Sequence, residues 1–422
     1  MESTVQHIAS SPIAPRPSHV PESLVYDFDT FADLGLIEDP HKRVLELMRD
    51  APPIFWTPRH GGHWVLRSYD AVFKASRDPE SFSNEIPQMQ AMLASLRPGA
   101  PRPLIPTPIT LDPPRHSAYR APLQSAFSPK AMSALKGDIR ALAGELIDKV
   151  KPAGHCEFML AVAEPMPVTI FLRLFGLPVE KQKEYRTLAK QHLASTNFDL
   201  RATQERLRKV ASVMHETILD RGEHPRDDLI SLLWRAEFDG KAATLSDVEN
   251  YCVMLFVAGL DTVMNAMGHG ARKLADDAAL QATLRADRKL IPAATEEILR
   301  RYTFTLPPRR VAKDIVFEGV AMRKEERAVL CLPAADLDPA VFDRPEQFDL
   351  GRDKPHIAFG AGPHRCLGSH LARIELQVLY EEMLARLPAF RIDPEKPVRY
   401  HGGHVWGPDE LHLVWSGEKI CK

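Results

Sequence analysis

Phe359-Gly360-Ala361-Gly362-Pro363-His364-Arg365-Cys366-Leu367-Gly368 decides the reading of this chain. Two glycines before the cysteine and one after it remove side chains, so the backbone can approach a flat ligand closely. Apolar residues at helical spacing follow at once (Leu371, Ile374, Val378), which places Cys366 at the start of a helix. Backbone N–H groups and the helix dipole favour a thiolate there. An isolated cysteine in a glycine loop is more often a buried structural residue. A ten-residue pattern with Arg365 and His364 beside the sulfur and no second cysteine nearby suits one axial bond to haem iron better.

Working outward, the next chemistry lies inside a run that is apolar on every face, Tyr251 to Ala258, the mark of a helix at the centre of a large protein. Ser246 to Glu249 reads as a capping box opening that helix. Ala258-Gly259-Leu260-Asp261-Thr262 then puts a carboxylate and a hydroxyl where both are costly unless partnered or used. Gly259 leaves room above a flat cofactor. Thr262 can instead bond back to the carbonyl four residues earlier and bend the helix, the plainer explanation. Further helices are expected from Ser128-Pro129 through Met132, Leu135, Ile139, Leu142 and Leu146, and through Leu207, Val210, Met214 and Ile218. Short strands are expected at Ile54–Phe55, Trp64–Leu66, Ile315–Phe317 and 328–332.

Composition narrows the alternatives. Of 422 residues, 44% are apolar and 26% charged, which excludes a wholly disordered chain. A net charge of −2 provides no field for nucleic acid or an anionic membrane. Five cysteines (Cys156, Cys252, Cys331, Cys366, Cys421) without a CxxC pair argue against a disulfide scaffold and fit a reducing cytoplasm. The longest apolar run, Met159 to Pro178, is interrupted by Glu164, Pro165, Pro167 and Arg173, so no membrane span is expected. Residues 1–22 read as a flexible leader without the apolar core of a signal peptide, and 23–422 as one catalytic domain. The HxxH pairs His60/His63 and His401/His404 lack a third ligand nearby in sequence, so zinc is not expected. The fold class is mainly α: one large helical domain with small β-sheets.

The cysteine segment resembles the signature of the cytochrome P450 family of haem-thiolate monooxygenases at every defining position. The acid–alcohol motif 104 residues ahead of Cys366 strengthens the resemblance. It implies the P450 fold, with haem b buried between the central helix and the cysteine loop. Cys366 would be the iron ligand, Phe359 would pack by the sulfur, and Ala258, Gly259 and Gly368 would border the cofactor. His116, Arg120, Arg309 and His364 match family positions that bind the haem propionates. By the same resemblance Thr262 holds oxygen and water, and Asp261 relays protons from solvent. Glu297 and Arg300 would form a buried lock of the fold, closed by a later cation in the loop before the cysteine; Arg344 fits that place.

Within the family, the stretches 19–28, 61–64, 163–167, 259–263 and 366–373 look closest to bacterial camphor-hydroxylase-type enzymes. Where those carry a tyrosine on the substrate ketone, 102–109 has none; the position falls near Leu104, so camphor itself is not expected. Leu104, Ile109, Met254, Val257, Thr305, His404 and Val405 are the expected pocket, suited to a terpenoid or norisoprenoid such as an ionone or a terpene ester. O2 and two electrons from a [2Fe-2S] ferredoxin with its NAD(P)H-dependent reductase would complete the reaction. Lys74, Arg120 and Arg373 are expected to meet that ferredoxin, and the enzyme is expected to be a monomer. The other classes to separate are a haem-thiolate peroxygenase or isomerase, against which the intact Asp261-Thr262 pair argues, and a haem sensor, which would carry a signalling module.

Overall fold

A computed structural model describes residues 11–95, 102–193, 200–238 and 240–415. Its axis is a helix of 32 residues, Leu245–Asp276, about 48 Å long at 1.5 Å per residue. The helix opens on a capping box two residues earlier than expected, at Thr244 and Asp247. The Thr244 hydroxyl accepts from the Asp247 N–H at 3.2 Å, and the Asp247 carboxylate accepts from the Thr244 N–H at 2.9 Å. By length and composition it is the one helix among the described residues that could cross a membrane, yet it is mostly buried inside the protein.

That helix serves two apolar cores. Val248 to Leu260 pack with Phe171, Phe175, Leu207, Val210, Met214 and Ile218. Val263 to Ala275 pack with Ile139, Leu142, Leu146, Leu376, Tyr380 and Trp406. Close packing at the second core depends on small residues: a Cβ on Gly270 would lie 1.8 Å from the Tyr380 hydroxyl of helix Ser369–Arg386. The four expected positions 207 to 218 are all buried on helix Leu200–Glu223. The pattern expected as one helix from Ser128 is two, Pro129–Ala134 and Lys136–Val150, with Ser128 capping the first. The break falls at Leu135, which packs on both cores: Met132 before it faces the first core, and Ile139, Leu142 and Leu146 after it face the second.

A third core lies against a five-stranded sheet ordered Ile54–Thr57, His63–Leu66, Arg327–Leu330, Pro308–Val311, Phe82–Ser83. Only the contact between His63–Leu66 and Arg327–Leu330 is parallel. The segment expected as leader is packed from Ser11 onward. The Ser11 N–H donates to Asp29 at 3.1 Å, the Ala14 N–H donates to the Pro58 carbonyl at 2.8 Å, and Val20 is fully buried among the sheet residues. Residues 1–10 and Cys421 lie outside the described residues.

The buried lock is present, with a different third member. Arg300 donates to both Glu297 oxygens at 2.7 and 2.8 Å and to the carbonyls of Asp336 and Pro345. Glu297 also accepts from the Asp349 N–H at 3.0 Å and from Arg352 at 3.3 Å. Arg344, the expected partner, points outward and pairs with the exposed Asp343. Its φ of 43° turns its side chain away while its carbonyl accepts from Arg352. Removing one member of a fully buried pair strands the other charge, so Glu297→Ala or Arg300→Ala should cost about 3–5 kcal/mol, and Arg344→Ala under about 0.5. Urea unfolding of the three variants measures this; a loss at Arg344 equal to that at Arg300 would contradict it.

Burial also keeps several histidines neutral. His269 is pushed down to about 4 and His63 to about 3, in both cases chiefly by desolvation. An unfolded histidine titrates near 6.5, so below that pH the unfolded chain binds more protons than the folded one. Stability should therefore fall as pH drops from about 6.5 toward 4, by up to about 1.4 kcal/mol per pH unit for each histidine. His269→Gln should flatten the slope of unfolding free energy against pH between 6.5 and 4; an unchanged slope would show that this ring does not contribute.

Candidate active site

The cysteine loop is pinned at both ends. Gly360 and Gly362 adopt φ of 70° and 68°, conformations side chains resist, and a Cβ on Gly362 would meet the Ser76 carbonyl at 2.3 Å. The Cys366 N–H donates to the Phe359 carbonyl at 2.8 Å, and the Gly360 N–H to the Ile357 carbonyl at 2.7 Å. Helix Ser369–Arg386 begins three residues after Cys366. Upstream, the buried Asp336 accepts from the Ile357 N–H at 2.8 Å and the Thr303 hydroxyl at 2.7 Å, and burial pushes its pKa up to about 6. Glu296 takes a bidentate pair from Arg373 at 2.7 and 2.8 Å and a third contact from His356. Burial alone would raise Glu296; these partners outweigh it and bring the pKa to about 2. Arg373 in turn lies 4.5 Å over the Phe359 ring. Asp336, Glu296, His356 and Arg352 were not singled out in the sequence, because each acts through contacts between segments far apart in the chain.

Cys366 differs from the other described cysteines. Cys156, Cys252 and Cys331 are sealed in the cores, whereas Cys366 is deep in the fold yet bordered by accessible space. No atom lies within 4 Å of where Gly360 and Gly368 would carry a Cβ. Burial pushes the Cys366 thiol up, while the Gly368 N–H and the charges of Arg120, Arg365 and Arg373 pull it down. The N–H contribution expected from sequence is therefore present at Gly368, but desolvation exceeds it and the arginine charges together, and a metal cation would favour the thiolate.

The central helix offers its own opening. Ala258 is exposed after a buried run that ends at Phe256, and Val257, Gly259, Asp261 and Thr262 are half-buried. The Thr262 hydroxyl donates to the Ala258 carbonyl at 3.0 Å, the back-bond expected from sequence. Asn265, one turn on, donates to Asp261 at 3.2 Å. This segment falls where the helix passes from one core to the other, between Leu260 and Val263. The cysteine loop straddles the same seam: Phe359 packs on the second core and Leu367 on the first.

At one edge four cationic or ionisable nitrogen side chains gather. The rings of His116 and His364 lie 4.2 Å apart. Both ring nitrogens of His116 and Nε2 of His364 are buried without a hydrogen-bond partner. Arg309 is buried as well, and Arg120 donates to the Arg365 carbonyl at 2.5 Å. Burial, reinforced by mutual repulsion, lowers His116 to about 4 and His364 to about 2; burial lowers Arg309 to about 10. Asp112 is the carboxylate that opposes the shifts of His116 and Arg309, and it is held by Ser83 and the Asn84 N–H. Orphaned buried nitrogens beside an excess of positive charge fit a ligand with carboxylates.

Of the expected pocket residues, Thr305 and Val405 are brought together in a β-bridge, with the His404 carbonyl accepting from the Leu306 N–H at 2.8 Å. Leu104, Met254 and Val257 share the first core, and the backbone of Leu104 is clamped on both sides by the Gln204 amide. Ile109 stands apart, half exposed and in none of the three cores. His60 pairs with Asp29 and His401 with Asp409, so each is engaged by a carboxylate.

Residues 185–399 match the family model described as Cytochrome P450. A protein of Sinorhizobium fredii described as "Probable cytochrome P450 127A1" is 36% identical over 412 residues, 95% of this chain and 97% of that one. The chain belongs to the cytochrome P450 family. The steroid C26-monooxygenase of Mycobacterium tuberculosis is 30% identical, covering 87% of this chain and 98% of that one. Among solved structures, CYP101J2 superposes with a TM-score of 0.84 at 34% identity, over 96% of this chain and all of that one. CYP101C1 gives 0.85 at 31% identity, over 95% and all. The protein is thus a haem-thiolate monooxygenase similar in fold to CYP101J2 and CYP101C1, and haem b is the cofactor of its family. The orphaned nitrogens and the accessible cysteine fit that group. Losing a buried partner of a charged group costs about 2–5 kcal/mol. Arg309→Leu should therefore release haem to a scavenging apoprotein roughly 30-fold faster or more; an unchanged rate would remove Arg309 from the cluster.

Proposed function

We propose that this P450 hydroxylates an unactivated C–H bond of a small cyclic apolar molecule, a terpenoid or norisoprenoid, fed by a [2Fe-2S] ferredoxin. What supports the site assignment is that the helix segment carrying Asp261 and Thr262 and the loop carrying the accessible Cys366 each pass from one apolar core to the other. Haem, when bound, supplies the activation of O2 and the insertion of one oxygen atom. Cys366 would hold it, with the Gly368 N–H directed at the sulfur moderating its charge. His116, Arg120, Arg309 and His364 would receive its carboxylates.

On the other side, the Thr262 hydroxyl can release its bond to the Ala258 carbonyl and hold water or oxygen. Asp261, steadied by Asn265, would accept a proton from outside and pass it inward. Leu104, Met254 and Val257 provide an apolar wall that excludes water from the substrate, with Thr305 or His404 as a polar anchor for a ketone or ester. The electron donor would approach the cysteine side. Lys74 is neutralised there by Asp70 and Glu318, Arg373 by Glu296, and Arg120 would be taken by a haem carboxylate, which leaves the exposed Arg365 as the docking cation. This differs from the expectation that all three of Lys74, Arg120 and Arg373 serve.

Thr262→Ala should keep the spectrum and the substrate-induced spin change of the parent while product per electron pair falls several-fold. Undiminished coupling would refute the proton role. A panel of ketone- and ester-bearing terpenoids should shift the resting enzyme from low to high spin; response to acyclic chains alone would overturn the substrate class.

A further inference from the structure

Asp261 must be recharged with protons, and one side of its surroundings has no assigned use. Strands Arg399–His401 and Gly407–Glu410 form a hairpin whose register sets His401 opposite Gly407. Gly407 lies directly on the side chain of Asn265: a Cβ there would fall 1.9 Å from the amide oxygen. Asn265 is the residue that donates to Asp261 at 3.2 Å. The hairpin, Asn265 and Asp261 are therefore stacked in contact. His401 is itself bound through Nδ1 to Asp409 at 2.9 Å. About 32% of the His401 side chain and 52% of the Asp409 side chain are exposed, so water reaches the couple.

We propose that the His401–Asp409 couple is a proton entry that recharges Asp261 from the hairpin side. The inference rests on the proton role assigned above to Asp261. The hydroxylation consumes RH, O2, two electrons and two protons and yields ROH and water. Each proton that Asp261 passes inward leaves a carboxylate, which takes a proton from His401 Nε2, directly or through a water. Asp409, bonded to Nδ1, stabilises the imidazolium that re-forms when solvent returns the proton. The electrostatics agree: burial alone would lower the His401 pKa, but Asp409 and Asp261 together raise it above the usual value. His269, which is buried on the central helix and kept neutral, also lies in its field, and Arg272 and Tyr400 pack in the same cluster behind it. His401 is a relay rather than a group touching the reacting atoms, and Asp409 is a positioning residue.

The test combines titration with coupling. In the diamagnetic ferrous carbonyl form of the holoenzyme, the His401 pKa is followed by NMR. Asp261→Asn should lower it by about 0.5 to 1 unit, the effect of removing one charge several ångströms away. Asp409→Asn should lower it further. In turnover, product per electron pair in the parent should decline as pH rises through the His401 pKa. His401→Gln should lose that limb and couple several-fold less well, with haem content and spin change unaltered. An unmoved His401 pKa in Asp261→Asn, or full coupling in His401→Gln, would overturn the proposal. If Thr262→Ala uncouples while His401→Gln does not, only the hairpin entry fails; if neither does, the reading of Asp261 and Thr262 fails first.

Discussion

The structure depends on keeping one sulfur accessible in the middle of a hydrophobic protein. Two cores meet along a seam, and the central helix and the cysteine loop both cross it. A chain this apolar would ordinarily close such a seam by packing side chains into it. Here glycine and alanine line it, and the rigid parts are set further back. The bidentate Glu296–Arg373 and Glu297–Arg300 pairs, with Asp336 on the Ile357 N–H, hold the backbone of the loop from behind. The arrangement stores cost: the thiol is desolvated, and four nitrogen-bearing side chains crowd one edge with little opposing charge. A group carrying carboxylates and a metal centre would relieve both, and its binding would then be coupled to the stability of the fold.

The two faces of the seam show opposite electrostatic habits. On the cysteine side, buried imidazoles and the buried Arg309 guanidinium present nitrogen groups to one edge. On the helix side, an acid is steadied by an amide and backed by a histidine–carboxylate couple, an arrangement suited to moving protons rather than fixing charge. The proposed substrate wall, Leu104, Met254 and Val257, is apolar. Selectivity in such a pocket comes from shape and from a few polar anchors, since an added methylene in an apolar site is worth only about 1–3 kcal/mol.

Much of this was legible in the sequence because it is local. The glycines around Cys366, the all-apolar helix and the acid–alcohol pair are runs whose chemistry is set by immediate neighbours. The turn cations were legible through their family positions. What escaped was set by tertiary contact. Arg344 and Arg352 both lie in the loop before the cysteine, and only the left-handed backbone at 344 decides which one reaches Glu297. The box at Thr244 rather than Ser246 turned on which of two hydroxyls adopts the extended cap conformation. Residues 11–22 carry no periodicity, yet they are ordered by single hydrogen bonds to Asp29 and Pro58. His401 drew notice only as part of an HxxH pair; its partner Asp409 lies across a hairpin that spacing does not reveal.

The most direct test of the central claim is the absorption of the reduced carbonyl complex, recorded for the parent protein and for Cys366→His. With the Cys366 thiolate as ligand, the parent should show the long-wavelength Soret band of thiolate coordination, and the histidine variant should move to the shorter-wavelength position of an imidazole complex. A Cys366→His protein that kept the long-wavelength band would place the ligand elsewhere and contradict the account.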